Sequence, residues 1–413
     1  MCPARQVAGH VILLCAGARL LSTGPTNGIP FAHDSQMKGQ LMAIDPRRLS
    51  PHARPRSLPL SGLLLVLLGV PFSASQAAIR CINTEGDFKS QMDAAFASGE
   101  TQEEVRIKQG LFAFSNGDFG YSGRPDGLGK TIRISGGWSG TPGNCDSQDG
   151  GPSTTVLWGS GQRSVIEFYS EETFNGTLFI ENLMIGGGYR DIGIPTCLFI
   201  SKPVAGGLAV VLDRIRVQQC VAVPTTGAAA VSIFADQGVV VRNSLFVEND
   251  AGEDVPVRIS ITGSDDGYIL NNTFADNASS SSIGTTGLTA VSSEPPSLLE
   301  IIVANNVFDR NTASAAERAD IRVFGNVRLI NNRYAGVYGT PLEDTGSSTG
   351  SAGFSGDDYQ LAAGSSARDA GAYYIPLLQG SLDYYGRSRV AGSAVDLGAA
   401  EFATLFGDGF ESP

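Results

Sequence analysis

Three pairs of adjacent carboxylates are the residues of this chain best placed to do chemistry. They are Asp265-Asp266 in the run Gly-Ser-Asp-Asp-Gly, Asp357-Asp358, and Glu253-Asp254. Two carboxyl groups about 5–10 Å apart can split acid and base roles in hydrolysis, and clustered carboxylate oxygens suit a hard cation such as Ca²⁺. Asp beside Gly and Ser is also the ordinary composition of a tight turn. That plainer role is the one the local sequence favours for each pair. Arg214, Arg216 and Arg242 would line one face together if adjacent segments of chain stack, and they are otherwise ordinary exposed strand positions.

What is missing narrows the chemistry further. His10, His33 and His52 are the only histidines, and all lie in the first 77 residues. Residues 78–413 therefore offer no Ser-His-Asp triad, no Cys-His pair, no H-E-x-x-H zinc site and no imidazole base. The same stretch has four lysines, Lys89, Lys108, Lys130 and Lys202, all before most of the repeats described below. Its 22 basic against 39 acidic side chains leave a net charge of −17, which disfavours nucleic acid and anionic lipid as partners.

The elements that must position these residues follow from a repeat. Between residues 182 and 332 an apolar run, an Asn or Asp, any residue and a large apolar residue recur six times. The polar positions are Asn182, Asp213, Asn243, Asn272, Asn306 and Asn332, spaced 31, 30, 29, 34 and 26 residues apart. A period near 30 predicts a solenoid, because one unit cannot bury its own apolar face and must stack on its neighbours. Ahead of the polar residue apolar and polar side chains alternate, as in Leu208-Ala209-Val210-Val211-Leu212-Asp213, which is the pattern of strands with one inward face. Asn tolerates the left-handed conformation and bonds local backbone, so it suits a corner. Stacked about 4.8 Å apart, such side chains can join in a ladder of amide hydrogen bonds. The expected fold is all-β, a single-stranded right-handed parallel β-helix. Residues 85–99 carry Phe88, Met92, Ala95 and Phe96 at helical spacing and predict an N-terminal capping helix. The polar, low-complexity run 277–297 is expected to project as a loop.

Residues 58–72 form a short apolar core behind Arg47, Arg48, Arg54 and Arg56, followed by Ser73-Ala74-Ser75-Gln76-Ala77. That is the layout of a secretory signal peptide cut near Ala77 and too short to span a bilayer, so the expected mature chain has no membrane span. Export and four remaining cysteines point to disulfides. Cys197 and Cys220, 23 residues apart, lie near one solenoid turn, which leaves Cys81 with Cys145 by elimination. The expected organisation is 1–77 leader, 78–340 β-helix, 341–403 C-terminal coil and cap, and 404–413 a short tail.

Several segments resemble a known family. Ile134-Ser135-Gly136-Gly137-Trp138, Asn144-Cys145 and Thr154-Thr155-Val156-Leu157 are similar to an early turn of β-helix proteins related to polymorphic outer-membrane proteins and pectate-lyase-like solenoids. The ending is more specific. Tyr359-Gln360-Leu361, the run from Gly364 to Gly371, Asp383-Tyr384-Tyr385-Gly386-Arg387 and Val395-Asp396-Leu397-Gly398-Ala399-Ala400-Glu401 follow in the order found in choice-of-anchor Q domain proteins. Ala367 stands where that ending usually has Pro, and Arg368 where an aliphatic is usual. The tail from Leu405 to Glu411 resembles a short ending of exported proteins of Gram-negative bacteria.

The resemblance implies an extracellular or outer-surface protein. Pectate-lyase-like relatives act on polysaccharides, but fold alone does not carry activity over, and the Gly-His-Gly segment of polygalacturonases has no counterpart here. The reading that follows is a non-enzymatic β-helix presenting loops for adhesion or glycan binding, with a polysaccharide or a surface protein as partner and no cofactor. The alternatives are a Ca²⁺-assisted lyase or carboxylate-pair hydrolase, for which Asp265, Asp266, Asp357 and Asp358 are the candidates, and a structural envelope protein. Two or more coil-stacked acids with an Arg on one exposed face, lining a groove, would favour the enzyme.

Overall fold

The computed structural model describes residues 77–402, apart from 115–120, 124–127, 160–163, 170–174, 191–194, 202–206, 224–228, 264, 283, 293–298, 315–317, 357 and 373–380. It also describes Arg5–Val7 and His10–Ile12, an antiparallel strand pair within the unit Met1–Pro59. The leader and cleavage site, most of 1–77, and the tail 404–413 lie outside the described residues.

The rest of the described chain is a right-handed parallel β-helix of three walls. The first wall stacks in parallel from Ala78–Ile82 and Gln102–Lys108 through Val239–Arg242, Gly267–Leu270 and Ile301–Ala304 to Val327–Ile330 and Glu343–Thr345. The second wall is short, with Gly110–Phe114, Thr155–Gly159, Leu245–Val247, Thr273–Ala275 and Val307–Asp309. Two long strands, Asn175–Gly186 and Leu208–Gln218, run through the corner and serve both walls. The third wall is the eight-stranded sheet from Tyr121–Gly123 to Val337–Tyr338. Inward-facing residues of all three meet in one continuous core, where Phe246, Phe274 and Phe308 stack with centroids 5.0 and 4.6 Å apart. Cys81–Cys145 and Cys197–Cys220 are both disulfide-bonded.

One helix is present among the described residues, α1 (Glu85–Ala97), and it caps the N-terminal end. The Thr84 side chain accepts the Asp87 N–H, and Phe88, Met92, Ala95 and Phe96 are its buried face, as their spacing predicts. Its C-terminal end is closed by Lys130, which is 3% exposed. The ammonium donates to the carbonyls of Phe96 and Ser98 at 3.1 and 2.9 Å and to Ser98 Oγ at 3.1 Å. Lys130→Met leaves those carbonyls unsatisfied and is expected to lower stability by about 1–3 kcal/mol. An unchanged urea midpoint would remove this role from Lys130. No described helix is long and apolar enough to cross a membrane.

The corner between the first and second walls corrects the expected single ladder. Two columns run side by side. Positive φ falls on Asn182, Arg214, Asn243, Asn271, Asn305 and Asn331. The inward hydrogen-bonded column is the next residue in each coil, and it is amide only in Asn272, Asn306 and Asn332, with Ser244 bonded to its end. Of the six repeat residues, Asn182 and Asn243 therefore turn the chain, while Asn272, Asn306 and Asn332 form the ladder. Asp213 does neither. It precedes the turning Arg214 and sits on the outer face in register with Glu181 and Arg242. Buried amides can satisfy both a backbone N–H and a carbonyl, which an outward carboxylate cannot.

The run 277–297 is also corrected. Among its described residues, Ala278–Ser279 and Thr285–Ser292 are strands, with Leu288 and Ala290 in the core and Thr285, Thr286 and Ser292 buried. The composition is that of a loop, but the alternation in Thr285-Thr286-Gly287-Leu288-Thr289-Ala290-Val291 is that of a strand, and stacking on Val257–Ile261 decides the outcome.

After Ser348 the chain leaves the coils and returns along the outside of the second wall. Ala352, Leu361, Ala367 and Leu397 pack on Val307; Tyr359, Tyr384 and Ala399 pack on Leu245, Val247 and Ala275. This strap, the described residues of 351–402, is the segment with the specific family-like ending. Its acids fold it. Asp396 accepts the N–H groups of Asp369 and Phe402, Asp383 accepts those of Arg387 and Glu401, and Asp369 accepts that of Ala394.

Candidate functional site

The strap covers the second wall at Leu245, Val247, Ala275 and Val307, and on the outer face of the first wall Val211, Val240, Leu270 and Ala304 are buried. The outer face of the third wall carries exposed aromatic and arginine side chains. Strand alternation sends Ile166 and Phe168, Leu198 and Ile200, Ile233 and Ile259 inward, so their neighbours must face out. In register these form two outward columns. One runs Glu167, Phe199, Ser232, Arg258, Thr289, Arg322, Tyr338; the other runs Tyr169, Ser201, Phe234, Ser260, Val291, Phe324.

Large aromatic and guanidinium groups stand as ridges, and Ser232, Ser201, Ser260 and Thr289 lie recessed between them. Tyr169 and Phe324 are each 39% exposed and Tyr338 is 47% exposed. Phe199 meets Phe234 edge-on at 6.4 Å. Arg322 lies over Phe324 at 4.5 Å and Tyr338 at 5.4 Å, and it pairs with no carboxylate among the described residues. Arg258 is held by Asp254 at 2.5 Å. Flat aromatic faces accept the C–H side of a ring, and a guanidinium presents a fork of donors to hydroxyl or carboxylate oxygens. The face is a row of stacking surfaces and hydrogen-bond donors running along the helix axis.

Sequence reading missed this face. The signal was present as aromatic residues in the outward phase of short strands, as in Leu198-Phe199-Ile200-Ser201 and Val231-Ser232-Ile233-Phe234, but the same residues are normal in core strands.

The acidic candidates lie elsewhere. Asp266 and Asp265 sit at the start of Gly267–Leu270 in the first wall. Asp266 Oδ1 accepts the Glu300 N–H at 2.9 Å, and Arg328 from the next coil pairs with Glu300 at 2.9 Å and Glu343 at 2.8 Å. Burial, with the Glu300 and Asp265 charges, raises the Asp266 carboxyl above its usual range, against the pull of the Glu300 N–H. Burial and the negative charges of Asp266 and Glu300 push the Tyr268 phenol up to about 12. This is a coil-stacked group of acids with an Arg, at one edge of the first wall.

Asp357 lies outside the described residues. Asp358 is exposed and accepts from Gln360 at 2.7 Å, while its carbonyl takes the Tyr385 hydroxyl. In Glu253-Asp254, Asp254 caps Val255 and holds Arg258, which is a turn role. Among the described residues no three His, Cys, Asp or Glu side chains converge on a point where a metal ion would sit. Nor do the three arginines share a face. Arg242 lies on the first wall against Asp213, Arg214 is at the corner, and Arg216 is on the second wall near Glu248. The bend at Arg214, within the strand Leu208–Gln218, separates them.

No family model matches the chain, and no curated protein matches it. Among solved structures, the chain is similar to the pectate lyase Pel9A at 14% identity, covering 75% of this chain and 90% of that one, with a TM-score of 0.31. It is also similar to an alginate lyase from Paenibacillus sp. str. FPU-7 at 11% identity, covering 65% and 97%, with a TM-score of 0.19.

Proposed function

We propose that the chain is an exported β-helix that binds an extended polysaccharide lengthwise on the outer face of its third wall and does not cleave it. The observation that carries this is the paired outward columns, in which Tyr169, Phe199, Phe234, Phe324 and Tyr338 stand beside Arg258 and Arg322. Cysteines paired as two disulfides fit an oxidising compartment, and we place the protein at the outer surface of a Gram-negative cell. The strap carries the ending that resembles choice-of-anchor Q proteins, and we assign the chain to that group, with 1–77 as leader and 404–413 as tail.

A panel of neutral and uronate polysaccharides, immobilised and challenged with residues 78–413, tests the reading. Retention of the wild type on at least one, weakened about tenfold or more in Arg322→Gln and in Phe324→Ala, is the expected result. Retention unchanged in both variants would move the binding surface off this wall.

A second reading is favoured by one feature, the Asp266 carboxyl, raised by burial and bonded to the Glu300 N–H, with Arg328 paired to the Glu300 side chain. A carboxyl whose hold on its proton is strengthened beside a second carboxylate is the pattern of a general acid in glycoside hydrolysis. New reducing ends in the same tubes, abolished in Asp266→Asn, would establish cleavage and overturn the non-enzymatic reading.

A further inference from the structure

The strap is held to the solenoid at one buried corner. Arg389 is 1% exposed. Its guanidinium donates to Asn243 Oδ1 at 2.8 Å, to Glu401 Oε1 at 3.1 Å, and to the carbonyls of Asn271, Gly398 and Ala399 at 3.3, 3.0 and 2.9 Å. Glu401, also 1% exposed, accepts the Asp396 N–H on the same oxygen at 3.1 Å. Its other oxygen, Oε2, is buried with no hydrogen-bond partner among the described residues. A fully ionised carboxylate needs all its lone pairs answered, and this one is answered on one side only.

We propose that Glu401 is a proton-operated latch: the strap lies firmly on the second wall while Glu401 holds a proton and loosens from that wall when Glu401 ionises.

The groups around it make the balance clear. Among the described residues Arg389 is the cation in direct contact. From the strap, Asp396 and Asp383 face Glu401, and Asp383 Oδ2 accepts the Glu401 N–H at 2.9 Å. Arg387 is committed to Asp383 at 3.1 Å, and Asp369 and Arg368 lie beyond Asp396. From the solenoid the facing side chain is Asn243, whose amide donates to Asp213, itself paired with Arg242 at 2.8 Å. Burial, opposed by Arg389 and reinforced by Asp396, pushes the Glu401 carboxyl up to about 7 from its usual 4.5. The folded value lies above the unfolded one, so attachment is strongest below the unfolded value and is lost as pH rises through about 7. Release uncovers Leu245, Val247, Ala275 and Val307, an apolar sheet face present only in the loosened state.

Amide hydrogen exchange on the full chain tests this. The strap amides of Gly398 and Ala399 bond to Asn305 O and Thr273 Oγ1 of the coils. After correction for intrinsic exchange, their opening equilibrium is expected to rise about tenfold or more between pH 5 and pH 8, while the ladder amide of Asn272 stays fixed. In Glu401→Gln the rise should vanish. Equal slopes in wild type and variant, or no slope in the wild type, overturn the latch. Titration of the Glu401 carboxyl carbon by NMR in the wild type needs no variant: a midpoint near 7 supports the latch, and one below 5 overturns it.

Discussion

At pH 8, where Glu401 is ionised, replacing Arg389 with Met lowers stability by about 3–5 kcal/mol, the range for removing one partner of a buried ion pair. The loss is not one contact. Asn243 Oδ1 and the carbonyls of Asn271, Gly398 and Ala399 lose donors in the same step, and Glu401 is left buried without its cation. Met fills much of the same volume, so the change reports lost polar partners more than a cavity. Glu401 without Arg389 should take up a proton more readily, so the loss should be smaller at pH 5 than at pH 8. The double variant Arg389→Met with Glu401→Leu should recover part of it, because replacing both partners removes the uncompensated charge. Urea unfolding of the two single variants and the double variant measures the cycle. A single Arg389→Met loss under about 1 kcal/mol, or no recovery in the double variant, would remove the corner as the strap's anchor.

Arg389 also shows where sequence reading stops. Its neighbours in the chain, Gly386-Arg387-Ser388 and Val390, are polar or exposed, and nothing local marks it as buried. Its partners stand 146 and 118 residues earlier, in corners of two coils. Long-range satisfaction of this kind has no periodic signature.

The solenoid is the opposite case. Each coil must repeat the same strand and corner pattern, so the period, the helix face of α1 and the cysteine pairing are all visible locally. A second amide ladder, in which Asn249 bonds to Asn277 and Asn277 to Asn311, was legible too. Asn272 to Asn277 and Asn306 to Asn311 are each five residues apart around an inward Phe. It is missed when only the residue before the strand is counted. The acidic pairs show a different limit. Adjacent Asp residues at turns and at a site look alike in sequence, and it takes Glu300 and Arg328, from other coils, to distinguish Asp266 from Asp254.

Asn272→Leu separates the two corner columns. Asn272 Oδ1 accepts the Ser244 N–H at 3.1 Å, and its amide donates to Val241 O at 2.8 Å and to Asn306 Oδ1 at 3.0 Å. All of these groups are buried, and Leu answers none of them. At about 1–3 kcal/mol for a buried unsatisfied group, two orphaned backbone groups bring the expected loss to roughly 2–6 kcal/mol, with a matching fall in Tm. Asn271, one residue earlier, has φ +51 and turns the corner. Its ring of demands is conformational as well as polar: its amide meets the strap carbonyl of Asp396 at 2.9 Å. Its Oδ1 also accepts the Asn305 amide at 3.2 Å, so Asn271→Gly keeps the left-handed backbone available and loses two side-chain ties, with an expected effect of about 1–2 kcal/mol. Asn272→Gly, by contrast, should be as damaging as Asn272→Leu, since the backbone at 272 gains nothing from glycine. Comparable Tm values for Asn271→Gly and Asn272→Gly would show that the two columns are interchangeable, and the assignment of ladder and turn to separate residues would fail. The expected inequality follows from one physical fact: a left-handed turn asks for backbone freedom, and a buried ladder asks for a donor and an acceptor on the same side chain.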